Sequence, residues 1–304
     1  MSASAQNKII NSPAEIIDIE KILKQLEALP TLPNIIYELG RVINNPRSSA
    51  TEVSKILECD QSLAAKVLKM VNSAYYGVPG GIGDLDRAIS YLGYDAVNQL
   101  VLTASVFTNL NKPGNAKFNL AEFWKHALGV AMGSETIAKW TKFHSLHECF
   151  SSGLLHDLGK VALYLVAPNT LDEIIEKAAK DAISIIEAER QMGTLLHTHV
   201  GALLAKMWKL PPTIEMSILY HHESDSRKRN IMKADINHVV DIVYLSNGIL
   251  HQLDFGNSGH SIKIPPNEMV LKRLNITEAQ MPLILKDIER NLETVDDFVN
   301  IIAG

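Results

Sequence analysis

The stretch Ser152-Gly153-Leu154-Leu155-His156-Asp157-Leu158-Gly159-Lys160 constrains this chain more than any other. It sets a His, an Asp and a Lys into an otherwise apolar run, read as part of one helix over Leu146–Val166. Burying an unpaired ionised group is very costly, so a fold that takes this segment inside must give the three side chains a common partner. Adjacent His and Asp offer one nitrogen and one oxygen to the same point, a donor pair suited to a borderline or hard divalent metal. Other elements must then supply the remaining ligands.

The rest of the chain reads as helices. Ile16, Ile19, Ile22, Leu23 and Leu26 follow a helical period up to Leu29, and Leu29-Pro30-Thr31-Leu32-Pro33 breaks it, because each Pro disfavours helix in the residue before it. A short helix follows over Asn34–Ile43. Ser49-Ala50-Thr51-Glu52 is a capping-box pattern opening a helix to about Glu58, and Asp60 caps the next, which stops before Gly77. Asp86–Leu92 and Ala96–Asn109 are two more. Beyond them come Leu120–Trp140, Leu146–Val166, Leu171–Lys180, Ser184–Met192, Leu195–Lys209, Pro212–His222 and Lys233–Gln252. Thr277-Glu278-Ala279-Gln280 is a second capping box, opening an amphipathic helix to about Ile302 that packs on the body or on another chain. Ser261–Ile264 is the one candidate strand. The reading is all-α: a disordered leader over 1–14, an N-terminal helical subdomain over 15–112, a metal-binding helical domain over 113–255, and a loop with a C-terminal amphipathic helix over 256–304. The boundary falls at Asn111-Lys112-Pro113-Gly114-Asn115, the clearest internal break.

Composition narrows the function classes. The 304 residues, 46% hydrophobic and 21% charged, suffice for a large core and argue against long disorder. A formal net charge of -5 gives no basic footprint for nucleic acid. The helix pair 50–58 and 61–71 has the outline of a helix-turn-helix, but its second helix offers only Lys66 and Lys69. Cys59 and Cys149 lie far apart with no CxxC, which fits small core residues in a reducing cytosol. Met1–Asn11 lacks the apolar core of a signal peptide, and no run reaches the roughly 20 apolar residues of a membrane-spanning helix. A cytoplasmic protein without nucleic-acid or membrane partners is expected.

Histidines and carboxylates in the second half fall on successive helices. Glu122 and His126 are four apart and share a helix face. His156-Asp157 and Lys160 follow, then His197 and His199, then His221-His222-Glu223, and finally Asn247 with Asp241 before it. Each piece alone has an ordinary explanation: an exposed i,i+4 pair, or a histidine favoured by a helix C-terminus. Their joint order on five helices points instead to a histidine- and carboxylate-rich site inside a bundle.

Several motifs carry a family resemblance over roughly residues 20–225. They are Leu29-Pro30-Thr31-Leu32-Pro33, Asp60-Gln61-Ser62-Leu63-Ala64, Val71-Asn72-Ser73-Ala74-Tyr75-Tyr76-Gly77, Ala88-Ile89-Ser90-Tyr91-Leu92-Gly93 and Phe123-Trp124-Lys125-His126. To these add the His156-Asp157 stretch, His197-Thr198-His199-Val200-Gly201, Trp208-Lys209-Leu210-Pro211 and Ile218-Leu219-Tyr220-His221-His222-Glu223. The chain is similar to the HD superfamily of metal-dependent phosphohydrolases, and within it to the HDOD (HD-related output domain) family. The resemblance implies a helical bundle preceded by an N-terminal helical subdomain, and a bacterial signalling or regulatory role, often non-catalytic. From the related HD-GYP phosphodiesterases it implies metal ligands at Glu122, His126, His156, Asp157, His197, His221, His222 and Asn247, with His199 as the alternative to His197. Lys160 matches the lysine near the phosphate and, with Asp157, takes the catalytic role if there is turnover. One or two divalent ions are implied, iron or manganese before zinc or nickel.

Two departures separate the chain from those enzymes. Asn247 stands where they carry a final Asp, and Asn offers a neutral, weaker ligand. Asp241 lies two turns earlier and cannot replace it without a register shift. The loop Ser224–Asn230 contains no Gly-Tyr-Pro. The expected function is a regulatory module that binds metal without turnover and meets signalling proteins in trans. The alternative is a phosphohydrolase acting on a phosphate-containing small molecule through a metal-bridged hydroxide.

Overall fold

Capping chemistry delimits the helices of the N-terminal half. The computed structural model describes residues 22, 24–29, 32–43, 49–111, 117–231 and 233–303. Helix α1 spans Asn34–Ile43 and α2 Ala50–Glu58, the latter opened by the expected box: Glu52 N donates to Ser49 Oγ (3.3 Å) and Ser49 N to the Glu52 carboxylate (3.0 Å). Asp60 caps α3 (Gln61–Val71) by accepting from Leu63 N, and Asp84 caps α4 (Leu85–Leu92) by accepting from Arg87 N. Helix α5 (Tyr94–Leu110) is buried nearly all round, its polar Gln99, Thr103 and Ser105 included. It runs through the middle of this half with Leu100, Val101, Val106 and Phe107 fully buried.

The second half is built on α6 (Leu120–Trp140), whose central turns are buried on every side. Against it pack α7 (Leu146–Leu155) and α13 (Ala234–Gln252). Helix α8 (Leu158–Val166) leads through α9 (Pro168–Asp181) and α10 (Ile185–Met192) to α11 (His197–Met207), which crosses back over α8. Helix α12 (Pro212–Tyr220) lies between α11, α7 and α13. After a short α14 (Glu268–Arg273), α15 (Met281–Leu292) packs on α6, and α16 (Val295–Ala303) packs on α3, α5 and α6. Ile284, Ile288 and Phe298 are buried, so the C-terminal helices cover the body of the same chain.

The fold is all-α: among the described residues there is no strand, and 261–264 is irregular. Two helices read as continuous are broken. The C-terminal one divides at Glu293-Thr294 and starts a turn late, although Gln280 Oε1 still accepts from Thr277 N. The run Leu146–Val166 divides at His156-Asp157, with Asp157 at φ -101, ψ 20. The leader at 1–14, the boundary residues Lys112–Asn115 and most of the helix before Leu29 lie outside the described residues.

Candidate metal centre

The break at His156-Asp157 turns both side chains toward one point. His156 Nδ1 donates to Gly153 O (2.7 Å), which leaves the Nε2 lone pair directed inward, 3.2 Å from Asp157 Oδ2. Lys160, one turn into α8, donates to the same oxygen at 2.7 Å and approaches Ser258 Oγ at 3.2 Å. All three ionisable groups of the opening stretch are buried together.

Helix α11 reaches them because two glycines let it. A Cβ on Gly159 would lie 1.7 Å from His197 O, and one on Gly201 would lie 2.7 Å from Gly159 N. The backbones of α8 and α11 therefore touch where any side chain would hold them apart. This contact brings His197 Nε2 to 3.3 Å from Asp157 Oδ1. His221, at the end of α12, donates from Nδ1 to Ile218 O (2.9 Å) and places Nε2 3.3 Å from the same oxygen. His222 Nε2 stands 3.2 Å from His197 Nε2.

His126 enters from α6, with Nδ1 3.2 Å from Phe255 O and Nε2 3.0 Å from Asn247 Oδ1 on α13. Both neighbours are carbonyl oxygens. With the proton on Nδ1, two electron-pair donors face each other across 3.0 Å, an arrangement that a cation between them relieves.

The donors form two groups that share Asp157: Asp157, His197, His221 and His222, and His126, His156 and Asp157. Within each group the ligand atoms lie within 4.8 Å of one another. Three buried atoms at the centre, His156 Nε2, His221 Nε2 and Asp157 Oδ1, have no hydrogen-bond partner in the protein. Neighbouring donors on one ion with bonds of about 2.1 Å stand roughly 3.0–3.4 Å apart, the spacing seen here. Nδ1 anchoring by carbonyl or carboxylate is the outer-shell arrangement that orients metal-bound histidines. The residues fit a divalent ion, and the shared carboxylate fits two.

The electrostatics agree. Burial, with His156 adding to it, pushes His126 down to about 4. Burial also brings His221 to about 4 and, with His221 and His197 beside it, holds His222 well below its usual value. These rings are neutral near pH 7, as ligation requires. Burial works to raise the Asp157 carboxyl, but His156 and Lys160 outweigh it and hold the group well below the carboxylate range. For His197 burial acts downward, and Glu189 with Asp157 more than offsets it, so its pKa lies above the usual value.

Of the residues singled out in the sequence, His126, His156, Asp157, Lys160, His197, His221, His222 and Asn247 are brought together. His199 is exposed. Glu122 is not in the cluster: its side chain is exposed on the first turn of α6 and lines a separate cleft beside His251 and Asp254. The segment 255–257 lies against that helix face. Gly256 (φ +65) is so close that a Cβ would meet Glu122 O at 2.6 Å and His126 N at 2.4 Å, and Asn257 N donates to Glu122 O. Asp241 faces away, held by Arg229 (2.8 Å) and Arg273 (2.7 Å).

Four further residues escaped the sequence reading. Glu189 is fully buried on α10 and grips His197 through Nδ1 (2.8 Å) and the backbone N (3.0 Å). Its position, four after Ile185 and three after Ile186 on the apolar face, was a usable signal. Ser258, His251 and His260 come from, or pack beside, an aperiodic segment that gave none.

Comparison with known proteins agrees with this architecture. The HDOD domain family matches residues 29–224. An uncharacterised protein of Treponema pallidum (strain Nichols) is 27% identical over 202 residues, covering 66% of this chain and 39% of that protein's length. The chain therefore spans well under half of that relative. The crystal structure of an HDOD domain protein of unknown function from Geobacter sulfurreducens superposes with a TM-score of 0.77 at 25% identity, over 94% of this chain and 98% of the other. A candidate phosphohydrolase from Shewanella amazonensis SB2B shares the fold, with a TM-score of 0.70 at 24% identity over 93% and 98% of the two chains.

Proposed function

The chain belongs to the HDOD domain family, and from that premise we propose that it is a regulatory module that binds divalent metal at Asp157 and works without turnover. The observation that carries the metal is the set of buried donors around Asp157 left without hydrogen-bond partners. Asp157 bridges the two donor groups, with His156, His126 and Asn247 on one side and His197, His221 and His222 on the other. A divalent ion supplies Lewis acidity and a stabilising charge when bound.

The reading without turnover rests on what surrounds the donors. Lys160 is spent on Asp157 and Ser258 and is 1% exposed. Among the described residues, no Lys or Arg lines the pocket that opens beside His221 and His222. The protein's own contribution to neutralising a phosphodiester is thus small, and Asn247 weakens one half of the donor set. No helix of the described residues is long and apolar enough to cross a membrane, and the partner of such a module is a signalling protein.

The second reading, a metal-dependent phosphohydrolase, is favoured by the bridging position of Asp157 between two donor groups. A screen of metal-loaded protein with bis-p-nitrophenyl phosphate, nucleotides and cyclic dinucleotides decides between them. The regulatory reading expects no hydrolysis above the metal-only control. Hydrolysis that disappears in His156→Ala/Asp157→Ala establishes the enzyme.

A further inference from the structure

A small pocket, with a cavity volume of ≈ 60 Å³ and an open mouth, lies beside the donor cluster, with His221, His222 and Asn247 on its inner side. One wall is a pair of stacked imidazoles, His251 and His260, with ring centroids 4.3 Å apart and planes 21° from parallel. His260 Nδ1 accepts from Ile262 N (3.2 Å), which fixes the ring proton on Nε2. That Nε2 is buried and has no partner, and the same holds for Nε2 of His251. His260 Nε2–H is therefore an unpaired, buried donor in this wall. The mouth is apolar, formed by Tyr244, Ile262, Ile264, Pro265 and Pro266. It is a built feature: Gln252 Nε2 donates to Ile264 O (3.1 Å) and Lys263 Nζ to Gln252 O (3.1 Å), tying the 262–266 segment to the end of α13.

We propose that this pocket binds a small ligand with one oxyanion head and an apolar body, and that His260 is its hydrogen-bonding wall. The inference deepens the metal-module reading and rests on it for the charge that draws the head inward. The head turns toward the metal donors, where acceptor oxygens meet His260 Nε2–H. The body lies along Ile262, Ile264 and Pro265. A ligand carrying several phosphates finds no Lys or Arg here, whereas a single head on a short hydrocarbon chain leaves neither the His260 donor nor the apolar mouth unmatched. A carboxylate and a phosphate monoester share this chemistry.

Calorimetric titration of the metal-loaded full chain tests it, with hexanoate, hexyl phosphate, acetate and inorganic phosphate as probes. Saturable one-to-one binding of hexanoate or hexyl phosphate is expected, roughly tenfold or more tighter than the chainless counterpart, from burial of the added methylenes. The tighter of the two identifies the head. His260→Phe keeps the stack on His251 and removes the donor. Ile264→Asp changes an exposed mouth residue. Both variants should keep wild-type metal content and lose roughly tenfold in affinity for the chain-bearing probe. The proposal is overturned if neither chain-bearing probe binds, if acetate or phosphate binds as tightly as its counterpart, or if both variants bind like wild type. Protein that takes up no metal contradicts the functional reading instead. The titration is then run on metal-free protein, where chain-dependent binding lost in His260→Phe still upholds the pocket and its absence overturns it.

Discussion

Glu189 is the residue that best separates a metal site from a packed histidine cluster. Buried and bonded to His197 Nδ1, it raises the basicity of Nε2 and fixes the ring's direction. Glu189→Gln should weaken metal binding by roughly 10-fold or more while retaining the fold, as read by competition with a chromophoric chelator. Asn247→Asp should act in the opposite direction, tightening the ion on the His126 side, because a carboxylate replaces a neutral carbonyl 3.0 Å from His126 Nε2. The same histidines give the metal-free protein an acid limit. His126 and His221 titrate near 4 in the folded chain against about 6.5 unfolded. The unfolded state therefore takes up protons first as pH falls. Stability is whole above about pH 6.5 and is lost as pH falls from there through about 4, on the order of several kcal/mol in total. Urea midpoints of the metal-free protein at pH 7 and pH 4.5 measure it, and equal midpoints would contradict the neutral, buried assignment.

At the scale of elements, the crossing of α8 and α11 positions the centre. Gly159→Ala drives a methyl into His197 O, at 1.7 Å in the present backbone. It should cost about 1–3 kcal/mol or more in stability and weaken metal binding, because the helices must separate. Thermal melts with and without metal read both effects. Most helices could be placed from the sequence because their caps and apolar periods are local: Ser49 with Glu52, and Asp60, do what their side chains predict. The break at Asp157 could not be placed. An apolar run keeps its period across one irregular turn, and no Gly or Pro stands at 156–157 to mark it. The segment 255–260 was opaque for the opposite reason. It has no period at all, yet it supplies Phe255 O to His126, Ser258 to Lys160 and the His260 wall. The His and Asp donors were legible because ionisable residues in apolar stripes are conspicuous. The exposed course of Glu122 depends on where that aperiodic segment lies, which spacing does not encode.

Across the whole molecule, the site is tied to distant chain by one buried carboxylate. Asp241 on α13 pairs with Arg229, which also donates to Glu223 O, and with Arg273 of α14, which also donates to Ser224 O. The turn that follows His221-His222 is thereby clamped to the C-terminal part of the chain. Asp241→Ala leaves the buried Arg229 charge without its carboxylate and should cost about 3–5 kcal/mol, measurable by urea denaturation. The C-terminal α16 in turn rests Phe298 against Tyr75, whose hydroxyl donates to Glu135 on α6, so both halves share one packed core. In this frame the donor cluster around Asp157 is the feature that fold, glycine contact and carboxylate clamp all serve. The most direct test is the metal content of the purified full chain after loading with iron, manganese or zinc and removal of excess. One to two divalent ions per chain are expected, as for a dinuclear site, with loss in His156→Ala/Asp157→Ala at unchanged helical content. A folded wild-type chain that retains no metal, or a double variant that retains as much as wild type, would contradict the account.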